Sequence, residues 1–581
     1  MKKKINILVI LLSIFIFAFI GCEEKVLNKE PLNTFSENDV WTDIVLIDKF
    51  VTSTYQVLND YSYLSSYKGA NVGGGIRFLL SSATSHSFVR FSGTAGTYQC
   101  RQGTITPSDM GGGIGKIWPQ KYYCIRNCNL FFERIGNIKA ANTQEEKKIQ
   151  SLTGEMKYLR AYSYADLISY FGGVPLITET FELKDDFMLP RNSYAEIVDW
   201  IVKELNEAQE MLPGTRSSDE MGRINKGACM ALKSRILLYA ASKLHDPRTE
   251  PSGPLFDYDK SNKWQQAADA AKAVIDLPEY SLVKVETFKD YQQIFLENNS
   301  EVIFFKYFST AYMSIETGLN CMNAPNGFTN GRGGNTPTSN IVDLFEMSNG
   351  KMINEPGSGY SAHVDSMYKN RELRFYANIL YEGGCEFRGR VVEFYLPGGK
   401  DSEDGILPAA ATRTGYYMRK FSDETIDYNT EFAPRIWIYE RLATFYLNYA
   451  EAQYHLGNEE IAREYINLIR NRVHLPDINT SGEELLKDIM HERIIELCFE
   501  TYSYFFDLRR WMIGEEFENK DSMGLNWRKE NEAGKLDPNG KLVYYKVVAQ
   551  KCNFYPRNYY LPIPLGEIEK CNLLEQNPGY D

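Results

Sequence analysis

The chain has 581 residues, of which 43% are apolar; that is ample for a sizeable core and excludes a disordered protein. Its 64 basic against 76 acidic side chains give a formal net charge of −12, and no basic run lies beyond the extreme N-terminus, so nucleic acid and anionic membrane surfaces make poor partners. The 39 Tyr, 32 Phe and 7 Trp suit packed helices and equally a surface that stacks on sugar rings.

The N-terminus reads MKKKINILVILLSIFIFAFIGCEEK. Lys2, Lys3 and Lys4 form a positive n-region, and Ile5 to Ile20 have the length of a signal h-region, short for a membrane span. The run ends Phe19-Ile20-Gly21 and meets Cys22 at once, which resembles the bacterial lipobox, where the cysteine is lipidated and becomes the new N-terminus. Residues 1–21 are therefore expected to be a lipoprotein signal and Cys22 the lipidation site, followed by a polar tether to residue 34 that contains Pro31. Several acyl chains on one residue anchor firmly where a single chain binds marginally. Glu23 and Glu24 resemble the acidic export signal of surface lipoproteins in Bacteroidetes, and loss of the three lysines makes the mature chain −15.

Along the mature chain, helical spacing predicts a first helix over Trp41 to Leu58, capped from Ser36 and Asp39. A loop-rich stretch follows from Tyr61 to Gly115. Trp118, Tyr122, Ile125, Asn129, Phe132 and Ile135 then mark one face of a helix, and EEKKIQSLTGEMKYLRAYSYADLISYF forms its partner, stopped by Gly172-Gly173 and Pro175. Further helices are expected over Tyr194 to Leu212, Asn225 to Leu244 and Trp264 to Leu277. A last pair, starting IWIYERLATF, breaks at Gly457-Asn458. Small residues such as Ala450-x-Ala452 and Ala267-x₂-Ala270-Ala271 suit tightly stacked helices of tetratricopeptide-like size, in copies too dispersed for a regular array. A loop-rich insertion, about 280 to 430, includes the strand-like EVIFFKYF. The fold class is thus mainly α: a tetratricopeptide-like helical-hairpin scaffold with long loop-rich insertions and a few short β pieces.

Four segments carry a resemblance to the SusD/RagB family of outer-membrane nutrient-binding lipoproteins. They are GEMKYLRAYSYADLISYFGGVPLI, RINKGACMALKSRILLYAA, RIIELCFETYSYFFDLRRW and YYLPIPLGEIEKCNLLEQNPGY. The resemblance implies an N-terminal SusD-like helical part over 35–245 and a C-terminal SusD/RagB part over 246–581, packed as one unit. It also implies a loop-built glycan site on a lid over a SusC-like TonB-dependent transporter, with no catalysis and no cofactor. The signature residues read as scaffold: Arg160, Asp166, Asp507, Arg509 and Arg510 suit ion pairs between helices, and Pro562, Pro564 and Pro578 fix a C-terminal strap. A helical-repeat lipoprotein that scaffolds an assembly or captures peptide is the other reading.

No enzyme constellation emerges. His491-Glu492 begins HERII, but a zinc-protease helix needs His where Ile495 stands, and GGGIGKI lacks both the leading Gly of a phosphate loop and its Ser or Thr. The six histidines are scattered. Without Cys22 nine cysteines remain, an odd number that cannot all pair, and Cys124 with Cys128 lacks a second ligand pair, so buried thiols are expected. By the resemblance, ligand would meet loops near the first helices and before PTSNIVDLFEMSNG. These offer Phe88, Arg90, Phe91, Tyr98, Gln99 and Arg101, then Tyr312, Asn326, Phe328, Asn330 and Arg332. The candidate contacts are Tyr98, Arg101, Tyr312 and Phe328, with Phe88, Asn330 and Arg332.

Overall fold

A computed structural model describes residues 40–58, 79–90, 96–181, 187–308, 319–426, 435–502 and 504–580. The expected signal, Cys22 and the tether lie outside the described residues. The chain opens with α1 (Ile44–Thr54), whose N-terminal amide at Val45 is capped by the Asp43 carboxylate at 2.7 Å. α2 (Ile117–Ile135) and α3 (Thr143–Phe171) form the first hairpin, and the face predicted for α2 turns inward, with Trp118, Ile125 and Asn129 buried. Asn142 caps α3, and Gly172 ends it with φ 74° and ψ −152°, a conformation open to glycine alone.

The next helices follow the predicted spans within a few residues. α4 (Tyr194–Met211) starts on a capping box of Ser193 and Glu196, and α5 (Lys226–Ala241) starts on Asn225. α6 (Lys263–Ile275) precedes the insertion; α7 (Leu442–His455), α8 (Glu459–Arg472), α9 (Glu483–Glu496) and α10 (Tyr504–Arg510) follow it. From α2 to α9 each helix packs on the next, so α6 meets α7 across the whole insertion. Small residues make this close approach possible: Ala267, Ala268 and Ala271 of α6 and Ala450 and Ala452 of α7 are buried. In α3, a Cβ on Gly154 would meet the Leu212 side chain at 2.8 Å.

Among the described residues the strands form two-stranded antiparallel ladders. β1 (Ser87–Val89) pairs with β3 (Asn335–Pro337), β2 (Val302–Phe308) with β8 (Arg435–Arg441), β4 (Ile379–Tyr381) with β7 (Tyr416–Met418), β5 (Glu386–Phe387) with β6 (Arg390–Val391), and β9 (Ser522–Glu530) with β10 (Lys541–Gln550). One predicted boundary is corrected here: the helix expected from IWIYER begins only at Leu442, because Ile436, Trp437, Ile438 and Tyr439 extend alongside β2. An apolar run of aromatic and β-branched residues has no period that separates helix from buried strand, and the waiting partner Val302–Phe308 decides it.

The signature residues do hold helices together. Arg160 of α3 donates from Nε to Glu204 of α4 at 3.0 Å and from Nη1 to Asn129 of α2 at 2.8 Å. Asp166 pairs with buried Lys121 at 2.8 Å, and Asp507 accepts from Arg493 at 2.8 Å and Arg510 at 2.7 Å. Arg509 instead lies over the Phe505 ring at 3.6 Å. The C-terminal strap returns to the end of α3: Leu561 N donates to Tyr170 O at 2.8 Å, and the Asn577 amide to Phe171 O at 3.0 Å. The nine cysteines from Cys100 to Cys571 are buried free thiols. Among the described residues no helix is long and apolar enough to cross a membrane, and no cluster of His, Cys, Asp or Glu is placed to hold a metal.

Candidate ligand-binding site

The β1–β3 ladder joins the two loop regions singled out in the sequence, setting Phe88 opposite Thr336 and Val89 opposite Asn335. Arg90 extends it, with N to Gly334 O at 3.1 Å and Nη1 to Arg332 O at 3.1 Å. The loop from 321 to 334 is folded on itself by bonds from Phe328 N to Pro325 O, Gly331 N to Phe328 O and Arg332 N to Cys321 O. Asn330 turns the chain at φ 62°, which asparagine tolerates better than most residues. Beneath, buried Asn326 donates to Ser402 O at 2.7 Å and Leu407 O at 3.0 Å and accepts from the Tyr417 hydroxyl at 2.9 Å. The loop is therefore a fixed platform.

On that platform Phe328 is half-buried and meets Phe387 edge to face, with ring centres 5.2 Å apart. The Arg390 guanidinium lies 3.8 Å from the Phe328 ring centre and is locked by two 2.7 Å bonds to buried Asp401. Phe387 also lines a concavity of about 460 Å³ shared by Phe288, Tyr376, Tyr381, Arg388, Arg419 and Glu424. Phe288, Tyr376 and Tyr381 are half-buried, so part of each ring faces the hollow. Arg419 lies over Phe288 at 4.6 Å and is tied to Glu424 at 2.6 Å. Close by, burial raises the Glu382 carboxyl to about 7 although the Phe394 and Gly383 amides both donate to it. Apolar ring faces flanked by fixed guanidinium and carboxylate groups can hold a polyhydroxylated ring by stacking and hydrogen bonding.

The candidate residues fall into four groups. Phe328, Asn330 and Arg332 share the platform loop. Phe88, only 3% exposed, and Arg101, only 2%, have framework positions instead: Phe88 sits in the β1–β3 ladder, and Arg101 pairs with Glu518 at 3.0 Å while donating to the Glu518 and Lys520 carbonyls. Tyr98 is half-buried on the short helix Gly96–Gln102, where its carbonyl faces the Gln550 amide. Tyr312 and Phe91 lie outside the described residues. Sequence reasoning missed Tyr376, Tyr381, Phe387 and Arg390; the signal was the aromatic and glycine-rich run RFYANILYEGGCEFRGRVVEFY inside the insertion. A second hollow of about 330 Å³ near Asn225 and Tyr280 includes Arg216 and Arg223, but both are committed to Glu155.

Comparison with known proteins covers most of the chain. The profile described as SusD family matches residues 300–580, and that described as starch-binding associating with outer membrane matches residues 39–238. SusD-like protein P2 of Formosa agariphila is 23% identical over 600 residues, spanning 100% of both chains. A SusD-like protein of Bacteroides fragilis superposes with TM-score 0.75 at 29% identity, covering 95% of this chain and 100% of that one. A structure described as a laminarin binding SusD-like protein gives TM-score 0.59 at 21% identity over 93% and 100% of the two chains.

Proposed function

Because the chain belongs to the SusD/RagB family, we propose that it is a glycan-binding surface lipoprotein that captures oligo- or polysaccharide and passes it to a SusC-like TonB-dependent transporter in the outer membrane. Anchoring through Cys22 is part of the proposal. The observation that carries the binding role is the half-buried Phe328 platform beside the hollow lined by Tyr376 and Tyr381. Such a surface supplies stacking faces and positioned polar groups, which suits capture of a glycan. A site of millimolar to micromolar strength, about −4 to −8 kcal/mol, suffices for a lid that must also release its cargo. Repeats along one polysaccharide add avidity.

The test is retardation of the purified full chain on native gels cast with plant, microbial and host polysaccharides. Phe328→Ala and Tyr381→Ala are each expected to weaken retardation by the active polymer about tenfold or more with the fold intact, the loss of one stacking contact at a small site. Retardation unchanged in both variants would remove this surface as the site. Retardation by no polymer would favour the peptide-capture or scaffold reading. Co-purification of a transporter from the native host membrane tests the delivery step.

A further inference from the structure

The arginines around the platform divide into two kinds. Arg390, Arg419 and Arg101 are paired with Asp401, Glu424 and Glu518. Arg332, half-buried, and Arg413, exposed, have no carboxylate partner among the described residues. The backbone segments that carry them pack closely through neighbouring residues. A Cβ on Gly333, next to Arg332, would stand 2.5 Å from Ala410 O and 3.1 Å from the Tyr417 ring. The Tyr417 hydroxyl in turn accepts from Thr412 N at 2.9 Å, next to Arg413. Arg90 donates to the Arg332 carbonyl at 3.1 Å, and the Arg413 guanidinium is 6.0 Å from the Phe88 ring. Of the acids on the loop 401–404, Asp401 is buried on Arg390, Asp404 accepts from Gly398 N at 2.7 Å, and Glu403 is exposed.

We propose that Arg332 and Arg413 form a subsite for an anionic substituent, a carboxylate or sulfate ester, on the captured glycan. This deepens the glycan-binding reading and rests on it. A guanidinium offers a planar fork of donors that matches two oxygens of either group, and two guanidiniums on one rigid frame define a spacing along a polymer. The chain as a whole carries −12, which repels a polyanion at long range, so retention of one requires a local positive field of this kind.

The test casts native gels with laminarin and dextran as neutral probes, and with polygalacturonate and dextran sulfate as carboxylate and sulfate probes. The full-length wild-type chain is run beside Arg332→Gln/Arg413→Gln and Phe328→Ala. The expected result is retardation by at least one polyanion, weakened about tenfold by the double glutamine variant and sharply by ~0.3 M salt, and weakened also by Phe328→Ala. Which polyanion responds names the substituent. Retardation by neutral probes alone overturns the anionic subsite and leaves glycan binding standing. Polyanion retardation unchanged in the double variant overturns it too. Retardation by none of the four overturns both readings.

Discussion

Arg510 of α10 grips Glu451 of α7 through two bonds, Nη1 to Oε1 at 2.5 Å and Nη2 to Oε2 at 2.7 Å, with both side chains buried. Burial alone would raise the Glu451 carboxyl, but the charge and hydrogen bonds of Arg510 outweigh it and hold the group near about 2. Replacing Arg510 by Met strands a buried carboxylate and is expected to destabilise the chain by about 3 to 5 kcal/mol, whereas Arg510→Met with Glu451→Met recovers much of that loss. Denaturant titration of the two variants measures it; a single variant within about 1 kcal/mol of wild type would show that the pair is not a structural joint.

Gly173 offers a sharper test of the FGG turn after α3. A Cβ there would collide with the Asn192 carbonyl, and its neighbour Gly172 sits at φ 74°. Gly173→Ala is expected to cost upwards of ~2 kcal/mol, and Gly172→Ala about 1 to 3 kcal/mol from strain alone. Soluble yield and denaturation midpoint report both, and a wild-type midpoint for Gly173→Ala would contradict the packing described.

Glu382 makes stability pH-dependent. Its carboxyl lies at about 7 in the native chain against an ordinary 4.5, the cause being burial. Between those values the folded chain holds a proton that the unfolded chain has released. Its stabilising contribution is therefore complete below the ordinary value, falls as pH rises through the window, and is gone above about 7. Glu382→Gln keeps an oxygen for the Phe394 amide and cannot ionise. Its midpoint is expected to exceed wild type at pH ~8 and to converge with it at pH ~5. Parallel pH profiles for the two proteins would sink the assignment.

Arg390 is expected to join stability to binding. Arg390→Ala uncovers Phe328 and leaves Asp401 with the Glu393 amide at 2.9 Å but no guanidinium. It should destabilise by ~3 kcal/mol and also weaken glycan retardation. Arg390→Lys keeps the charge without the fork and is expected to fall between. Equal binding by all three proteins would separate Arg390 from the site.

What the sequence made legible was local. Ser193 with Glu196, Asn225 and Gly172 announce helix ends through short-range hydrogen bonding and backbone conformation, and α3 to α6 run where those signals put them. β8 was not legible, because its identity depends on Val302–Phe308, far away in the chain. The same limit governs the site. Arg101 has the look of a loop arginine until Glu518, 417 residues further along the chain, turns it into a joint. Phe288 and Tyr381 belong to one hollow only through tertiary packing, whereas Phe328, Asn330 and Arg332 could be named together because one loop carries them all.

The strap that returns to α3 ties the order of synthesis to completion of the fold. The Phe171 carbonyl accepts from Arg191 at 2.7 Å, 20 residues on, and takes its second bond from an asparagine 406 residues further along the chain; closing so long a loop costs only slightly more than closing a short one, so the delay is one of time. While the chain is being made, the first hairpin can collapse early and Arg191 can cap its end, but that end stays only partly covered until residue 577 has emerged. A copy cut short before that point would carry an open seam beside its oldest helices, where a protease could tell it from a finished one.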